Sequence, residues 1–149
     1  MKGRRSRSIK LKSAPIVAFV ATASPAAAKK FYAKTLGLRL VSEDGFALSF
    51  DAGGTPLRVA IVQELRPAGY TVLGWMVPDI KHFVRGLKKA GVSFERFDFL
   101  EQNADGIWAA PSGAKVAWFK DPDGNLLSLT ESTQASRRKR PSTGRRKVG

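Results

Sequence analysis

Few residues in this chain have side chains suited to catalysis. There are no cysteines, which excludes disulfides, thiolate metal sites and cysteine nucleophiles, and the only histidine is His82. His82 lies in a predicted helix, off its apolar stripe and beside Arg85 and Lys89, so we predict a solvated surface residue rather than a catalytic base. Acidic residues at predicted caps, turns or loop ends are Asp44, Asp51, Asp79, Asp105, Asp121 and Asp123. The usual pair of nucleophile and base is therefore missing, and acid-base catalysis by carboxylates has no support.

The segment 119–131 combines a tight-turn signature with an alternating strand. Asp121 can accept turn hydrogen bonds, Pro122 fixes φ at the second turn position, and Gly124 tolerates a positive φ. The segment therefore predicts a hairpin corner, entered by an apolar strand over 115–119 and followed by a strand in which apolar and polar residues alternate. On local grounds alone, such a hairpin fits any β-rich domain.

Length and charge separate one folded domain from two tails. The length of 149 residues and the hydrophobic content of 43% predict a single domain over residues 13–131. Residues 1–12 and 132–149 carry thirteen of the 26 basic residues and no acid, so the net charge of +14 lies mostly outside the domain. Both segments are rich in Ser, Gly and basic residues, and we predict that they are disordered.

Two interpretations of the basic tails stay open. They can act as solubilising segments, or they can bind nucleic acid or another polyanion weakly and without sequence specificity. Aromatic residues, which would indicate base stacking, are absent from both tails. The chain has no apolar run long enough for a membrane span and no convincing signal peptide, so we predict a cytoplasmic protein without a membrane partner.

The predicted elements between the tails follow the order β, α, β, β, β twice. The first unit, 14–65, has strands at 16–22, 38–42, 46–50 and 57–63 and a helix at 26–36. The second unit, 70–131, has strands at 70–77, 92–97, 115–119 and 127–130 and a helix between Asp79 and Gly91. The turn aspartates Asp51 and Asp121 occupy equivalent places in the two units, which indicates an internal repeat.

The second unit is the longer one, and its extra residues fall roughly between Asp98 and Ser112. An insertion in one copy of a repeat is typically a surface loop, and loops on a rigid scaffold often carry function. Trp108 lies in this insertion. It is therefore a candidate lid residue or, alternatively, part of an extra strand on the edge of a sheet.

Three features together resemble the vicinal oxygen chelate superfamily: the two βαβββ units, the run Phe-Tyr-Ala-Lys-Thr-Leu-Gly-Leu at 31–38, and the corner Asp-Pro-Asp-Gly-Asn at 121–125. This superfamily includes glyoxalase I, extradiol dioxygenases, methylmalonyl-CoA epimerase and the fosfomycin and bleomycin resistance proteins. The resemblance covers residues 14–131. It implies an α+β fold in which tandem repeats form curved mixed sheets around a pocket, with helices on the outer faces and commonly a homodimeric assembly.

The resemblance also implies where a metal would be held. Relatives with metal chemistry place His, Glu or Gln at up to four pocket positions, because a divalent ion needs converging oxygen or nitrogen lone pairs. By comparison with the superfamily pattern, these positions are Val17, Arg58, Val72 and Ser128. Valine has no lone pair to offer, arginine is a cation, and a neutral serine hydroxyl is a weak ligand. We therefore expect no metal and no other cofactor.

What remains at the implied pocket positions is mostly apolar or aromatic. These residues are Val17, Phe19, Arg58, Val72, Met76, Trp118 and Ser128, with Trp108 as a cover. Such a pocket suits a flat apolar ligand held by stacking. Arg58 either orients an anionic or carbonyl oxygen of that ligand or instead faces solvent or pairs with an acid.

We therefore predict a metal-free protein that binds a small apolar or aromatic molecule without turning it over, as the resistance proteins of the superfamily do. One alternative is a lyase, isomerase or dioxygenase-like enzyme with a relocated metal. The other is a polyanion-binding protein that acts through its tails.

Overall fold

Two four-stranded mixed sheets and two helices make up residues 9–133, the part of the chain that the computed structural model describes. Most of the two predicted disordered tails, namely residues 1–8 and 134–149, lies outside these residues. None of the helices within 9–133 is long and apolar enough to cross a membrane.

The two repeats have the same topology. The first contains β1 (Ala18–Thr22), α1 (Pro25–Lys30), a π-helical turn (Phe31–Thr35), β2 (Arg39–Glu43), β3 (Ala47–Ala52) and β4 (Thr55–Ile61). The second contains β5 (Thr71–Met76), α2 (Ile80–Lys89), β6 (Trp108–Ala109), β7 (Lys115–Lys120) and β8 (Leu126–Glu131).

Sheet A has the strand order β1-β4-β3-β2, and sheet B has the order β5-β8-β7-β6. In each sheet the first strand pairs in parallel with the last, and the remaining pairs are antiparallel. The predicted α+β fold of tandem βαβββ repeats is confirmed.

The first helix changes its hydrogen-bond pattern halfway along. Pro25 occupies the first turn of α1, where a missing N–H costs nothing. The backbone N–H of Leu36 then donates to the carbonyl of Phe31, a π-type bond, and Gly37 ends the segment with a φ of 74°. The predicted helix over 26–36 therefore exists, but its second half is π-helical.

Both ends of α2 follow from the sequence. The Asp79 carboxylate accepts a hydrogen bond from the backbone N–H of His82, and Glu131 from β8 accepts one from Ile80 at 2.9 Å. These carboxylates satisfy N–H groups that have no partner inside the helix. Gly91, with a φ of 99°, lies just beyond the helix end.

One hydrophobic core joins the two repeats. Tyr32 is fully buried and packs against Phe50 of the first repeat, with 5.8 Å between ring centroids. Its neighbour Phe31 reaches Phe119 of the second repeat at 6.4 Å. Burying one large aromatic or aliphatic side chain contributes about 1.5–3 kcal/mol, so this shared core couples the stability of the two repeats.

The predicted strand over 92–97 is wrong. Within this segment only one isolated bridge forms, between Phe94 and Phe119. The side chain of Gln102 occupies backbone groups that a strand would use, because it accepts from the N–H of Phe97 at 2.8 Å and donates to the carbonyl of Glu95 at 3.0 Å. The fourth strand of sheet B is instead β6, which lies in the insertion.

The other predicted strands agree with the observed bounds to within two residues at each end. The insertion that contains β6 is held by its own polar side chains. The Arg96 guanidinium donates to the carbonyls of Asn103 and Ala104, and the Asn103 side chain accepts from two backbone N–H groups. Trp108 begins β6, which pairs with β7 at the sheet edge. Of the two alternatives for Trp108, the structure shows the strand at the edge of a sheet.

The predicted hairpin corner at 121–125 is confirmed. Gly124 has a φ of 91° and donates its N–H to the carbonyl of Asp121 at 3.0 Å. The Asp121 carboxylate also accepts from the backbone N–H groups of Asp123 and Asn125, both at 2.9 Å. These bonds explain why the turn needs an acid at its first position.

The same corner also binds the first repeat. The Tyr32 hydroxyl donates to Asp121 at 2.7 Å, and the Asn125 side chain donates to the carbonyl of Ala21 at 2.9 Å. Asp123 accepts from the hydroxyl of Thr22. Burial and the neighbouring Asp121 raise the pKa of Tyr32 well above its usual value, so its hydroxyl remains a donor. The corner thus joins the end of β1 to the end of β7.

Candidate functional site

Each sheet has one face against the helices and one face without them. Because successive strand residues point to opposite faces, the buried Leu57 and Val59 of β4 place Arg58 on the other side of sheet A. The buried Ala117 and Phe119 of β7 do the same for Trp118 in sheet B. We call these two helix-free surfaces the open faces of sheets A and B.

The open faces contain equivalent pairs of residues on neighbouring parallel strands. In sheet A, Phe19 of β1 lies opposite Arg58 of β4. In sheet B, Gly74 of β5 lies opposite Ser128 of β8. Arg58 and Ser128 therefore hold equivalent places in the two sheets.

Val17 lies two residues before Phe19, the partner of Arg58, and Val72 lies two residues before Gly74, the partner of Ser128. Val17 precedes β1, and Val72 lies at an irregularity in β5 between Thr71 and Leu73. Both side chains are exposed. A cavity at the sheet centre would therefore be bounded by Phe19 and Gly74 more directly than by the two valines.

Arg58 has partners within sheet A. Its Nη1 donates to the Ser49 hydroxyl at 3.3 Å, and the guanidinium lies close enough to Asp44 to affect that carboxyl. Backbone N–H groups of Phe46 and Ala47 are the main reason why the pKa of Asp44 is lowered, and the positive charge of Arg58 contributes. Of the two interpretations of Arg58, the structure favours a residue whose guanidinium lies near an acid.

Trp118 is the centre of an aromatic cluster on the open face of sheet B. Its ring centroid lies 6.1 Å from that of Trp108 and 5.3 Å from that of Phe97, whose ring is nearly perpendicular to it. The indole N–H donates to the Thr71 hydroxyl at 3.0 Å, which fixes the orientation of the ring. Trp108, Trp118 and Phe97 therefore form a preoriented aromatic surface, which we call the aromatic cluster.

Ser128 lies beside this cluster in a very close contact with Gly74. A Cβ atom on residue 74 would be 2.5 Å from the Ser128 hydroxyl, so any residue other than glycine would force this hydroxyl to move. Ser128 is 7% exposed, and its hydroxyl makes no hydrogen bond within residues 9–133. A buried hydroxyl without a partner is costly, and it is available to a ligand that approaches the open face.

A cavity of about 330 Å³ adjoins the aromatic cluster at Phe97. Its wall includes the linker segment 67–69 and two strand residues, Leu126 and Lys120. Leu126 lies two residues from Ser128 and Lys120 lies two residues from Trp118, so both belong to the open face. Glu95 also lines the cavity and pairs with Lys120 at 3.8 Å. The volume is at the lower end of the range for small-molecule sites.

The eight predicted site residues thus fall into two groups. Val17, Phe19 and Arg58 belong to sheet A, and Val72, Met76, Trp108, Trp118 and Ser128 belong to sheet B. Phe19 is 59% exposed and Met76 is 61% exposed, so neither lies inside an enclosed pocket in the single chain. The structure brings together Trp108, Trp118 and Ser128, while the sheet A group remains on the neighbouring sheet.

Sequence reasoning missed three members of the sheet B group: Thr71, Gly74 and Phe97. A signal existed for Gly74, because a glycine inside an apolar strand often marks close approach of another group. Phe97 was assigned to a strand that does not form, which concealed its contact with Trp118.

The residues at the positions of a superfamily-type metal site do not fit a metal ion. Val17 and Val72 have hydrocarbon side chains, and the guanidinium of Arg58 would repel a cation. Within residues 9–133, no group of three or more His, Cys, Asp or Glu side chains could hold a metal ion. His82 lies on the exposed side of α2, in edge contact with Phe83.

Comparisons with known proteins agree with the fold. The family model described as Glyoxalase/Bleomycin resistance protein/Dioxygenase superfamily matches residues 15–129. No curated protein matches the chain by sequence.

Several solved structures have the same fold at low sequence identity. A lactoylglutathione lyase from Agrobacterium tumefaciens is 18% identical, with a TM-score of 0.65, over 82% of this chain and 96% of that chain. The antibiotic-binding protein TnmS3 from Streptomyces sp. is 21% identical, with a TM-score of 0.62, over 81% of this chain and 98% of that chain. A glyoxalase/bleomycin resistance protein/dioxygenase from Alicyclobacillus acidocaldarius is 19% identical, with a TM-score of 0.62, over 83% and 96%.

Proposed function

The chain belongs to the Glyoxalase/Bleomycin resistance protein/Dioxygenase superfamily, and from this premise we propose that it binds a small, largely apolar or aromatic molecule without a metal ion. The observation that carries the proposal is the aromatic cluster next to the unpaired hydroxyl of Ser128. A flat ligand would stack on Trp118 and accept or donate one hydrogen bond at Ser128. Binding without turnover is the form we propose, because among residues 9–133 this face holds no Cys, no His and no metal donor set.

The proteins with the same fold include a small-molecule-binding protein and an enzyme. One is named as an antibiotic-binding protein, which is consistent with sequestration, and another as a lactoylglutathione lyase. A lyase, isomerase or dioxygenase reaction in this chain would need a metal held by residues other than Val17, Arg58, Val72 and Ser128. We therefore keep catalysis as the second candidate.

A homodimer is part of the proposal. Phe19 and Met76 lie largely exposed on the two open faces, and Phe46 and Tyr70 are even more exposed. Exposed apolar patches on a small protein often mark a protein or ligand interface. A second copy of the chain over the open faces would cover these residues and would enclose the aromatic cluster. The cytoplasmic location stays a prediction.

The proposal can be tested with 1-naphthol, a flat and nearly uncharged aromatic probe, by isothermal titration of the full chain. Trp118→Ala removes the central ring, and we expect binding to weaken about tenfold, since an aromatic contact contributes about 0.5–1.5 kcal/mol beyond its buried area. Trp75→Phe is the matched control. Trp75 stacks on Phe119 on the helix side of sheet B, so this variant should bind like the native chain.

Two further measurements complete the test. Arg58→Leu should leave naphthol affinity unchanged while weakening 1-naphthoate, if Arg58 orients an anionic group. Equal affinity of the native chain and Trp118→Ala for both probes would refute the assigned site. A stoichiometric divalent metal in protein purified without chelator would instead favour the enzyme.

A further inference from the structure

A second cavity lies on the helix side of the sheets, away from the open faces. It has a volume of about 250 Å³, and all ten residues that line it are apolar. Trp75, Phe119 and Leu129 of sheet B form its floor, and the last two are almost completely buried. Its walls come from both repeats, and we therefore call it the seam cavity.

Two helical segments supply the walls of the seam cavity. Leu36 and Leu38 of the first repeat form one wall, and Phe83 and Leu87 of α2 form the other. The N–H of Leu36 closes the π-helical turn, and turns of this type occur frequently at functional sites. Phe83 is 39% exposed, so the cavity reaches solvent beside its ring.

The lining excludes charged ligands. The indole N–H of Trp75 is the one polar side-chain group among the ten lining residues, and it makes no hydrogen bond within residues 9–133. The backbone N–H groups of Leu36, Leu38 and Val77 already donate to carbonyls elsewhere in the chain. A charged group would lose its hydration here without gaining a partner, whereas an apolar molecule would lose nothing.

The volume limits the size of the occupant. An apolar cavity of about 150 Å³ binds benzene, so the seam cavity has room for a molecule of one or two rings. One turn of an α-helix about 10 Å wide and 5.4 Å long fills about 420 Å³, which is more than the seam cavity offers. A small molecule therefore fits this space better than a helical peptide does.

We propose that the seam cavity is a second binding site, for an uncharged aromatic molecule of one or two rings. Such a molecule would contact the rings of Trp75 and Phe83 and would bury its surface against the core. The site does not depend on the aromatic cluster, which lies on the opposite face of sheet B. Because both repeats contribute walls, a ligand bound here would also stabilise the folded chain.

Trp75 can report on the seam cavity directly. The chain has three tryptophans, so Trp108→Phe/Trp118→Phe leaves Trp75 as the single one and removes both indoles of the aromatic cluster. The probe is bromobenzene, whose heavy atom quenches tryptophan fluorescence on contact. In the full chain with these two substitutions, we expect quenching that saturates with bromobenzene concentration. The charged analogue 4-bromobenzoate should bind about tenfold more weakly.

Phe83→Glu in the same background places a carboxylate in the wall of the cavity, and we expect it to weaken bromobenzene binding about tenfold. Phe99→Glu is the matched control, because it makes the same change at a largely exposed phenylalanine that does not line the cavity. Its affinity for bromobenzene should be unchanged. Phe83→Leu keeps the wall apolar and should retain saturable quenching. Thermal unfolding of each variant verifies that the fold is kept.

Three results would overturn the proposal. The first is quenching that rises linearly without saturation, which would reflect random collisions. The second is an equal affinity for bromobenzene and 4-bromobenzoate, or an equal loss in Phe83→Glu and Phe99→Glu. The third is self-association that Phe83→Glu abolishes, in a chain whose Trp75 is not quenched, which would make a second copy the occupant. The naphthol titration of Trp118→Ala is unaffected by these results, so each site can fail alone.

Discussion

The two repeats turn their last hairpins at equivalent aspartates, and the two corners have different partners. At the first corner, Asp51 accepts from the N–H of Gly54 at 3.0 Å and pairs with Arg39 at 3.3 Å. Both contacts stay within the first repeat and at its surface. At the second corner, Asp121 is buried and accepts four hydrogen bonds, one of them from Tyr32 in the other repeat.

The difference shows that a shared aspartate and glycine do not fix what a turn does. The aspartate and the glycine three residues later are common to both corners, but the backbone differs: Gly53 beside Gly54 has a φ of 61°, whereas Asp123 beside Gly124 has no positive φ. Among the residues that differ, Asp123 and Asn125 contact Thr22 and Ala21 of the first repeat. The second corner is therefore a junction between repeats.

The largest expected effect comes from removing each aspartate in turn. Asp121→Ala leaves the Tyr32 hydroxyl, the Asn125 amide and two backbone N–H groups without an acceptor in a buried place. Each unsatisfied donor costs about 1–3 kcal/mol, and with partial relaxation we expect a loss of about 3–5 kcal/mol in the free energy of unfolding by urea. Asp51→Ala should cost less than about 1 kcal/mol, because its ion pair is exposed. Similar losses in both variants would remove the distinction between the corners.

A smaller effect should follow from Tyr32→Phe, which deletes only the donor that crosses between repeats. We expect a loss of about 1–2 kcal/mol at pH 8, because Asp121 keeps its other three donors. The raised pKa of Tyr32 in the folded chain gives this loss a pH dependence.

Above pH 10, the usual pKa of tyrosine, the unfolded chain releases the phenol proton while the folded chain retains it. The unfolded state then binds fewer protons, so native stability falls as pH rises, whereas Tyr32→Phe lacks this contribution. The difference between the two proteins in urea unfolding should therefore shrink by about 1 kcal/mol between pH 10 and 11. A difference that stays constant over this range would mean that Tyr32 is not held protonated.

The smallest effect compares the same substitution at both corners. Gly54 and Gly124 have φ values of 95° and 91°, so alanine at either position should cost about 1–2 kcal/mol. A Cβ on Gly54 would meet no atom within 4 Å, whereas one on Gly124 would lie 3.1 Å from Pro67. We expect Gly124→Ala to be about 0.5 kcal/mol worse in thermal unfolding, below the usual cost of overpacking a core. A larger loss at Gly54 would contradict this.

Sequence patterns predicted the fold well where local forces decide it. The alternation of Leu127 and Leu129 with polar residues and the turn chemistry of Asp121 and Gly124 act over a few residues, so they can be read directly. The strand over 92–97 failed for the opposite reason. Its apolar residues suit a strand, but the side chain of Gln102 competes for the same backbone groups, and a propensity pattern does not include such a competitor.

The candidate site was only partly predictable. The resemblance to the superfamily implied pocket positions for Arg58, Trp118 and Ser128, and strand alternation in the structure puts them on the helix-free faces. The pairing of Ser128 with Gly74 depends on the register between two strands that are far apart in the chain, and that register is set by the whole sheet. The contact of Trp118 with Phe97 likewise depends on an irregular segment whose path follows from tertiary packing.

The junction at the second corner also bears on how the chain can be made. Tyr32 and Thr22 bond to residues 89 and 101 positions later in the chain, so a ribosome synthesises the first repeat long before its hydrogen-bond acceptors exist. Until then the hydroxyl of Tyr32 and the carbonyl of Ala21 must remain hydrated, and the first repeat cannot close its core around them. Folding should therefore complete in one late step, after the last strand emerges, rather than repeat by repeat.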